Sequence, residues 1–472
     1  MDWWRKDIFT LNRALDAGDV TPIVLLEHFL ERVDRLNTHV NAVVHRNAGA
    51  ERMARESAER RRSGRSRGPL DGIPMLLKDN LVAEGMPASW GSQLYADLIC
   101  DSDEIPVERL RRAGAVFMGK TNVPEFTVEG FTANKIFGVT RNPWDTDKIP
   151  GGSSGGSVAA VALGMAPYSI GTDGGGSVRR PASYTNLVGF KTSIGCVPRG
   201  GGLPQLLLDM ETVGPITRTV RDQALVLNAM AGPDRRDHRS LRFGGIDFVE
   251  ELEKAPGKLR VLAVDQIGDA PVDPEISQSF HQSVNLMSEL GHDVETGGLP
   301  FDVQPVYEHW TTIADIGLAL LLQRKPEMEQ RASPKYVEWA RKSYSATHLL
   351  AVFEALENIR NQAAVAFGNV DIIMTPSSAA LPWSTDLNFP PFINGVAAGP
   401  RGSALFSGWV NACGHPAISI PGPRGASGLP IGVQFVSDFG EDGLLLRLAR
   451  QLEEAANWRD DWPELANMDV SN

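Results

Sequence analysis

Cysteine is scarce in this sequence, which has only three among 472 residues, at positions 100, 196 and 413. Three dispersed cysteines supply neither a disulfide framework nor a pair at metal-ligand spacing. The N-terminal segment, residues 1–7, also lacks the apolar stretch of a secretory signal. We therefore expect a reduced, cytoplasmic protein with no cysteine-based metal site.

Positive charge is in deficit as well, with 46 Lys and Arg against 58 Asp and Glu and a formal net charge of −12. Nucleic acids and membrane surfaces are anionic, so this balance argues against both as partners. The arginine-rich run at residues 60–67 is interpreted as the solvated end of a helix. The longest uncharged stretch, residues 149–172, is long enough to span a membrane, but its prolines and glycines make a poor spanning helix.

Short apolar runs alternate with amphipathic segments along the chain, which is typical of an α/β protein. Thr21 followed by Pro22 predicts the N-cap and first turn of a helix, and Asp273 predicts another N-cap. The predicted helices span residues 22–33, 50–62, 105–114, 154–163, 274–290, 336–360 (largely) and 444–455. The predicted strands span residues 73–77, 115–119, 259–264, 371–376, 417–420 and 431–435. The strands at 417–420 and 431–435 are expected to pair, and residues 291–294 are expected to lead into one further strand.

Glycine, by contrast, is abundant: there are 47, and fourteen of them lie between residues 151 and 202. Residues 151–157 read Gly-Gly-Ser-Ser-Gly-Gly-Ser, residues 171–177 read Gly-Thr-Asp-Gly-Gly-Gly-Ser, and Lys78 follows an apolar run. A phosphate-binding loop would read Gly-x-x-x-x-Gly-Lys-Ser/Thr, and no segment does. A flexible linker is disfavoured because patterned apolar segments flank both runs.

Together these segments resemble the signature of the amidase signature family of serine amidohydrolases, in which a Ser-cisSer-Lys triad replaces Ser-His-Asp. Lys78, Ser153 and Ser177 occupy the matching positions, 75 and 24 residues apart. Shorter segments that flank these motifs also match the family pattern, as far as residues 428–434, so the resemblance covers nearly the whole chain. It implies an α/β fold, a single large domain with a mixed central β-sheet flanked by α-helices.

The resemblance also implies an organisation within that domain, residues 1–472. Residues 1–65 form N-terminal helices, which mediate a homodimer in many relatives. Residues 70–220 form the signature and catalytic core, and residues 259–472 complete the α/β domain and carry the substrate-pocket loops. The stretches 307–339 and 383–392 are expected to close the site.

In the family pattern Ser177 is the nucleophile, Lys78 is the base, and Ser153 relays the proton through a position held by a cis peptide from Gly152. A serine hydroxyl needs an adjacent base, and none of the nine histidines lies between positions 45 and 238. A lysine accepts a proton only when neutral, so the pKa of Lys78 must fall from about 10.4. The apolar run at residues 73–77 would supply the necessary burial.

Glycines without side chains leave backbone N–H groups uncovered, as an oxyanion hole requires. The residues expected to form the hole are Gly174, Gly175 and Gly176, together with the Ser177 N–H. Asp173 and Ser154 are expected to support this loop as second-layer residues, either by ordering it or in a purely structural role.

Two departures from the family pattern point to substrate contacts. Arg180 stands where relatives commonly have an uncharged residue, and in some members a basic residue there pairs with a substrate carboxylate. We therefore expect Arg180 to contact a polar or anionic acyl group, with a structural ion pair as the alternative. Trp90 departs from the usual pattern too, and Phe126, Thr127 and Phe131 are pocket candidates by the same resemblance.

The function predicted is hydrolysis of the acyl–nitrogen bond of a small amide, or of a related hydrazide or aryl amide, with no cofactor and no metal. The same triad also suits esters and carbamates. One alternative is the glutamine-hydrolysing A subunit of a tRNA-dependent amidotransferase, which would need partner subunits. Another is a non-catalytic binding protein, which the intact Lys78, Ser153 and Ser177 disfavour.

Overall fold

A mixed β-sheet of eleven strands forms the centre of the protein in a computed structural model that describes residues 2–468. Two-stranded ribbons stand apart from it. The strands are β1 (Val43–Arg46), β2 (Pro74–Lys78), β3 (Val116–Thr121), β4 (Ala133–Asn134), β5 (Gly138–Val139), β6 (Tyr168–Asp173), β7 (Val188–Lys191), β8 (Thr212–Thr217), β9 (Arg260–Ala263), β10 (Asp293–Thr296), β11 (Ile372–Pro376), β12 (Phe392–Ile393), β13 (Val396–Ala397), β14 (Ala417–Pro421) and β15 (Gly432–Ser437).

The strand order in the large sheet is β1-β3-β2-β6-β8-β7-β14-β15-β11-β9-β10. Two groups are parallel, β3-β2-β6 and β11-β9-β10, and the strands between them are antiparallel. Every residue of β2, β3 and β6 is buried. Strands covered on both faces read as continuous rather than alternating apolar runs, which is why residues 73–77 predicted a strand.

Helices pack on this sheet, and their starts follow local capping chemistry. Thr21 accepts a hydrogen bond from the Val24 N–H at 3.3 Å ahead of Pro22, and Asp273 caps its helix through the Glu275 N–H at 2.9 Å. The α-helices are α1 (Ile8–Ala17), α2 (Pro22–Val40), α3 (Ala50–Arg62), α4 (Ile105–Arg112), α5 (Gly155–Ala162), α6 (Arg179–Ser183), α7 (Val220–Met230), α8 (Phe248–Leu252), α9 (Pro274–Glu289), α10 (Gln304–Arg324), α11 (Met328–Arg331), α12 (Pro334–Ala340), α13 (Ala346–Phe367), α14 (Gly408–Cys413) and α15 (Asp442–Ala456).

The architecture confirms the predicted α/β class, and the predicted helices and strands form within a few residues of their expected bounds, except that α2 continues seven residues beyond its predicted end at residue 33, to Val40. Residues 336–360 are largely helical, as predicted, but they belong to two helices. Helix α12 ends at Ala340, and Ser345 begins α13 by accepting a hydrogen bond from the His348 N–H at 3.1 Å. The strands β6 and β8 and the long helix α10 were not predicted.

The uncharged stretch at residues 149–172 divides into the short helix α5 and most of strand β6. In the part of the chain that the structure describes, no helix combines the length and apolar character needed to cross a membrane. Strands β2 and β6 are parallel neighbours, with Leu76 opposite Ser169 and Leu77 opposite Ile170. Their carboxyl ends therefore meet at one edge of the sheet, where Lys78 and the glycine-rich segments come together.

Candidate active site

Lys78 lies at the end of β2 with its side chain fully buried, and it has three hydrogen-bond partners. Its Nζ lies 2.7 Å from the Ser153 Oγ, 2.9 Å from the Thr172 Oγ1 and 3.1 Å from the Thr172 carbonyl oxygen. A neutral amine has two N–H bonds and one lone pair. With both N–H bonds directed at Thr172, the lone pair can accept the proton of the Ser153 hydroxyl.

Burial lowers the pKa of Lys78 to about 7, so that the neutral form is accessible near neutral pH. The carboxylates of Glu211 and Asp173 act in the opposite direction and limit the fall. Glu211 is tied to the same cluster, because Asn80 Nδ2 donates to Glu211 Oε1 at 3.3 Å and to Thr172 Oγ1 at 3.1 Å. The amine is therefore desolvated, held in place and balanced by negative charge.

Ser153 and Ser154 lie in the turn before α5, and the peptide bond between Gly152 and Ser153 is cis. A side chain at Gly152 would lie 2.7 Å from the Phe131 carbonyl oxygen, so only glycine fits there. The Ser154 Oγ donates to the Thr172 carbonyl oxygen at 3.3 Å, and the Ser154 N–H donates to the Ser177 carbonyl oxygen at 3.3 Å. Ser154 thus ties the two glycine-rich segments together through its hydroxyl and its backbone.

Ser177 follows the turn at residues 174–176 and is 8% exposed, so its hydroxyl is close to the surface of the site. Gly176 has a φ of +105°, and its N–H donates to the Asp173 carboxylate at 2.8 Å. For residues 2–468, the hydrogen bonds involve neither the N–H groups of Gly174, Gly175 and Ser177 nor the Ser177 hydroxyl. Three neighbouring N–H groups thus have no hydrogen-bond partner within the described residues, whereas the Gly176 N–H is engaged in holding the loop.

Asp173 ends β6 and organises this turn. Its carboxylate accepts hydrogen bonds from the backbone N–H groups of Gly176, Val178 and Arg179 and from the Arg179 guanidinium, at 2.8–3.3 Å. Burial alone would raise the pKa of Asp173, but the Arg179 charge and these donors hold it well below its usual range. Asp173 is therefore a fixed anion that cannot serve as a general acid, and it does not bond to Lys78.

Arg180 is 6% exposed, and its guanidinium lies beside the glycine turn. A side chain at Gly176 would lie 2.9 Å from its Nε, and one at Gly130 would lie 2.9 Å from its Nη1. The Arg180 Nη1 donates to the Ser403 Oγ at 3.4 Å. The alternative to a substrate contact, a structural ion pair, is absent in the described residues, because no carboxylate lies within 4.0 Å of this guanidinium.

Two of the aromatic pocket candidates, Trp90 and Phe126, belong to one cluster, whereas Phe131 packs in another, with Ile149, Tyr184 and Trp383. Trp90 is 3% exposed, donates from Nε1 to the Thr127 Oγ1 at 3.0 Å, and packs edge-on against Phe126 at 5.4 Å between centroids. Phe126 has no exposed surface and contacts Tyr336 edge-on at 5.3 Å. Phe126 therefore supports the wall from behind, and Thr127, which is partly exposed, lies at the surface.

Sequence reasoning missed several residues of the site. Thr172 precedes Asp173, and its place at the end of an apolar run could have indicated it. Glu211 carries no local signal, since it reaches the site only through folding. Within residues 2–468, no three His, Cys, Asp or Glu side chains come together in a way that could hold a metal ion.

The family described as Amidase matches residues 24–446 of the chain. An acylamidase from Rhodococcus erythropolis is 32% identical, with 95% of this chain and 95% of the relative covered. The A subunit of the glutamyl-tRNA(Gln) amidotransferase from Alkaliphilus metalliredigens (strain QYMF) is 31% identical, with 93% and 94% covered. The crystal structure of a bacterial aryl acylamidase of the amidase signature family has a TM-score of 0.91 to this chain at 27% identity, with 98% and 99% covered.

Proposed function

The chain belongs to the amidase family, whose hydrolases act on carbon–nitrogen amide bonds, and on that premise we propose that it cleaves a small amide through an acyl-enzyme on Ser177. The hydrogen-bonded pair of a buried Lys78 and Ser153, 2.7 Å apart, carries this proposal. Burial lowers the pKa of Lys78 to about 7, so a substantial fraction of the amine is uncharged near pH 7. A surface lysine would remain protonated at that pH.

In the proposed reaction, the Ser177 hydroxyl attacks the amide carbonyl carbon while its proton passes to Ser153, whose own proton passes to neutral Lys78. The carbonyl oxygen becomes an oxyanion and accepts hydrogen bonds from the free N–H groups of Gly174, Gly175 and Ser177. Protonated Lys78 returns the proton through Ser153 to the leaving amine. Water then attacks the acyl-enzyme while its proton passes through Ser153 to neutral Lys78, and the proton returns through Ser153 to the Ser177 oxygen as the carboxylic acid leaves.

We place Arg180, Trp90 and Thr127 at the substrate, and Phe126 behind them. Arg180 supplies a charge beside the nucleophile turn, and Trp90 supplies an apolar wall whose orientation is set by its bond to Thr127. We further propose a homodimer formed by the N-terminal helices in residues 1–65, and a cytoplasmic location.

A panel of anilides, primary amides, esters and hydrazides, assayed with the purified chain, tests this function. We expect hydrolysis that falls by about 10³-fold or more in Ser177→Ala and in Lys78→Ala, because nucleophile and base act as a unit. Ser288→Ala and Lys258→Ala, which change exposed residues far along the chain, are the matched controls. Full activity in Ser177→Ala would refute the mechanism.

The second candidate is a glutamine-hydrolysing component of an amidotransferase, which is favoured by the similarity to the A subunit of that enzyme. Such a component would release ammonia within a complex and would depend on its partners for activity. Hydrolysis of simple amides by the isolated chain supports the first function. Activity confined to glutamine and dependent on added partner subunits would support the second.

A further inference from the structure

A buried arginine, Arg199, lies next to the hydrogen-bonded cluster around Lys78. Its Nη1 lies 3.1 Å from the Glu211 Oε2 and donates to the Glu211 carbonyl oxygen at 3.3 Å. Its Nη2 lies 3.9 Å from the Glu104 Oε2, and its backbone N–H donates to the Asp237 carboxylate at 2.9 Å. Arg199 is only 9% exposed, so its guanidinium is removed from most of the solvent, and the carboxylate closest to it is that of Glu211.

Glu211 connects this guanidinium to the base through two buried side chains. The Glu211 Oε1 accepts a hydrogen bond from the Asn80 Nδ2 at 3.3 Å, and the same Nδ2 donates to the Thr172 Oγ1 at 3.1 Å. The Thr172 Oγ1 in turn accepts from the Lys78 Nζ at 2.9 Å. A charge on Glu211 therefore acts on Lys78 across a short path of buried groups.

Three charged groups act on the base in addition to burial. Glu211 and Asp173 raise the pKa of Lys78, and Arg199 lowers it. Asp173 is already bound on both carboxylate oxygens by the guanidinium of Arg179. The balance at Lys78 therefore depends on the pair of Glu211 and Arg199.

Two further buried charges lie close to Lys78 in the sheet. Asp79 follows it in the chain, and Lys120 lies on the neighbouring strand β3. Each of the two is the strongest charged neighbour of the other, and they also bond to the Ser89 hydroxyl and the Leu81 carbonyl oxygen. Their opposite charges offset each other and leave the pair of Glu211 and Arg199 as described.

The two members of that pair have opposite effects on the base. Burial alone would raise the pKa of Glu211, but the charge of Arg199 lowers it, so Glu211 is an anion. An anion alone at this position would favour the ammonium form of Lys78, which cannot accept a proton. Resting on the proposed amide hydrolysis, we propose that Arg199 is a positioning residue for this reaction: it neutralises Glu211, which can then anchor Asn80 and Thr172 beside Lys78 without keeping the base protonated.

A pH profile of Arg199→Gln tests this proposal. The variant exposes Lys78 to the full charge of Glu211, so we expect the midpoint of kcat/KM to move to higher pH by about 0.5 to 1 unit. At pH 6, kcat/KM should fall about 3- to 10-fold, whereas at pH 9 it should stay within about 2-fold of the wild-type value. Arg199→Lys keeps the positive charge and should restore the midpoint.

Arg218→Gln is the matched control. Arg218 is 8% exposed, stacks on Trp462, and is not among the charges that act on Lys78. Its replacement should leave the midpoint in place. The proposal is overturned if the midpoint in Arg199→Gln is unmoved or moves to lower pH, or if Arg199→Lys behaves like Arg199→Gln.

A double variant, Arg199→Gln with Glu211→Gln, keeps the test available if Arg199→Gln alone folds poorly. Removing both partners of a buried ion pair is tolerated better than removing one. The double variant loses a neutral unit, so its midpoint should lie close to that of the wild type. A midpoint equal to that of Glu211→Gln alone would overturn the proposal, because Arg199 would then contribute no charge at Lys78.

A direct titration of Lys78 separates this proposal from the proposed function. In NMR spectra of the protein with ¹³C-labelled lysine, the Lys78 signal is assigned by its loss in Lys78→Met, and its shift with pH reports ionisation without turnover. Failure of the proposed function means that no substrate is hydrolysed, yet the titration is still measured. A midpoint that rises by about 0.5 to 1 unit in Arg199→Gln supports the charge balance, and an unchanged titration overturns it.

Discussion

Lys78 sets the pH at which the site can accept a proton. Its pKa near 7 results from burial acting against the attraction of Glu211 and Asp173. Below that pH the ammonium form predominates and has no lone pair for Ser153. Above it the amine is neutral and, in the proposed reaction, can accept the proton that leaves Ser177.

We therefore predict that kcat/KM rises with pH and levels off above a midpoint of about 7. Removing the charge in Glu211→Gln removes a group that raises the pKa of Lys78, so the midpoint should move to lower pH. A profile of kcat/KM from pH 5 to pH 9 measures both midpoints. Glu338→Gln, at an exposed position, should leave the midpoint in place.

An unmoved midpoint in Glu211→Gln, with only a lower plateau, would show that Glu211 has a structural role alone. That role is real, since Glu211 Oε2 also pairs with Arg199 Nη1 at 3.1 Å. A variant that merely contains less folded protein has a kcat/KM that is lower by the same factor at every pH, so its midpoint does not move. The midpoint therefore reports the effect of Glu211 on the pKa of Lys78.

The sequence pattern identified Lys78, Ser153 and Ser177 as candidate site residues because their local motifs are specific, and the folded chain brings Lys78 and Ser153 into hydrogen-bond contact. It did not indicate Glu211, which lies outside those motifs and carries no distinctive neighbours. The position of Glu211 depends on long-range packing, because it reaches Asn80 across 131 positions. Such contacts are properties of the folded chain.

At the scale of elements, the turn between β6 and α6 holds Ser177, the proposed nucleophile, and the N–H groups around it. Asp173 gathers the N–H groups of the turn, and Gly176 adopts a φ of +105°. The Ser407 Oγ, on the segment before α14, donates to the Gly175 carbonyl oxygen at 2.8 Å. Strand β6, through Asp173, and the segment before α14, through Ser407, thus hold the turn and its free N–H groups in place.

We predict that Gly176→Ala lowers both activity and stability. The positive φ disfavours alanine by about 1–2 kcal/mol, and the new Cβ would lie only 2.4 Å from the Ser407 Oγ. Urea unfolding and kcat/KM on a neutral anilide measure the two losses. Gly298→Ala is the control, because its backbone is not in the left-handed region and its surroundings are open. Equal behaviour of the two variants would contradict this account of the turn.

Element prediction succeeded for α3, whose helical pattern ends before Gly64 and whose predicted bounds of residues 50–62 are those observed. It was incomplete where small residues or buried polar groups interrupt the pattern. Strand β6 contains Ser169, Gly171 and Thr172 and was not predicted as a strand. The hydroxyl groups of Ser169 and Thr172 are satisfied by bonds to β2 and to Lys78, which only the folded sheet supplies.

At the scale of the whole molecule, the N-terminal helices remain the proposed dimer surface. Helix α2 packs on α3 and the sheet through its buried face, whereas Val24 on α2 and Phe9 on α1 are exposed. We predict a mass of about twice 51.2 kDa by light scattering. Val24→Glu should lower that mass, and Val365→Glu, which changes an exposed residue on α13, should not. A wild-type mass of 51.2 kDa would show that the chain is a monomer.

The acyl-enzyme on Ser177 is the central claim, and intact-protein mass spectrometry during turnover of an activated anilide tests it most directly. We predict a species heavier than the free protein by one acyl group, located by digestion to the peptide that contains Ser177. The species should be absent in Ser177→Ala and in a control incubation without substrate. Turnover with no such species, or an adduct that persists in Ser177→Ala, would contradict the account.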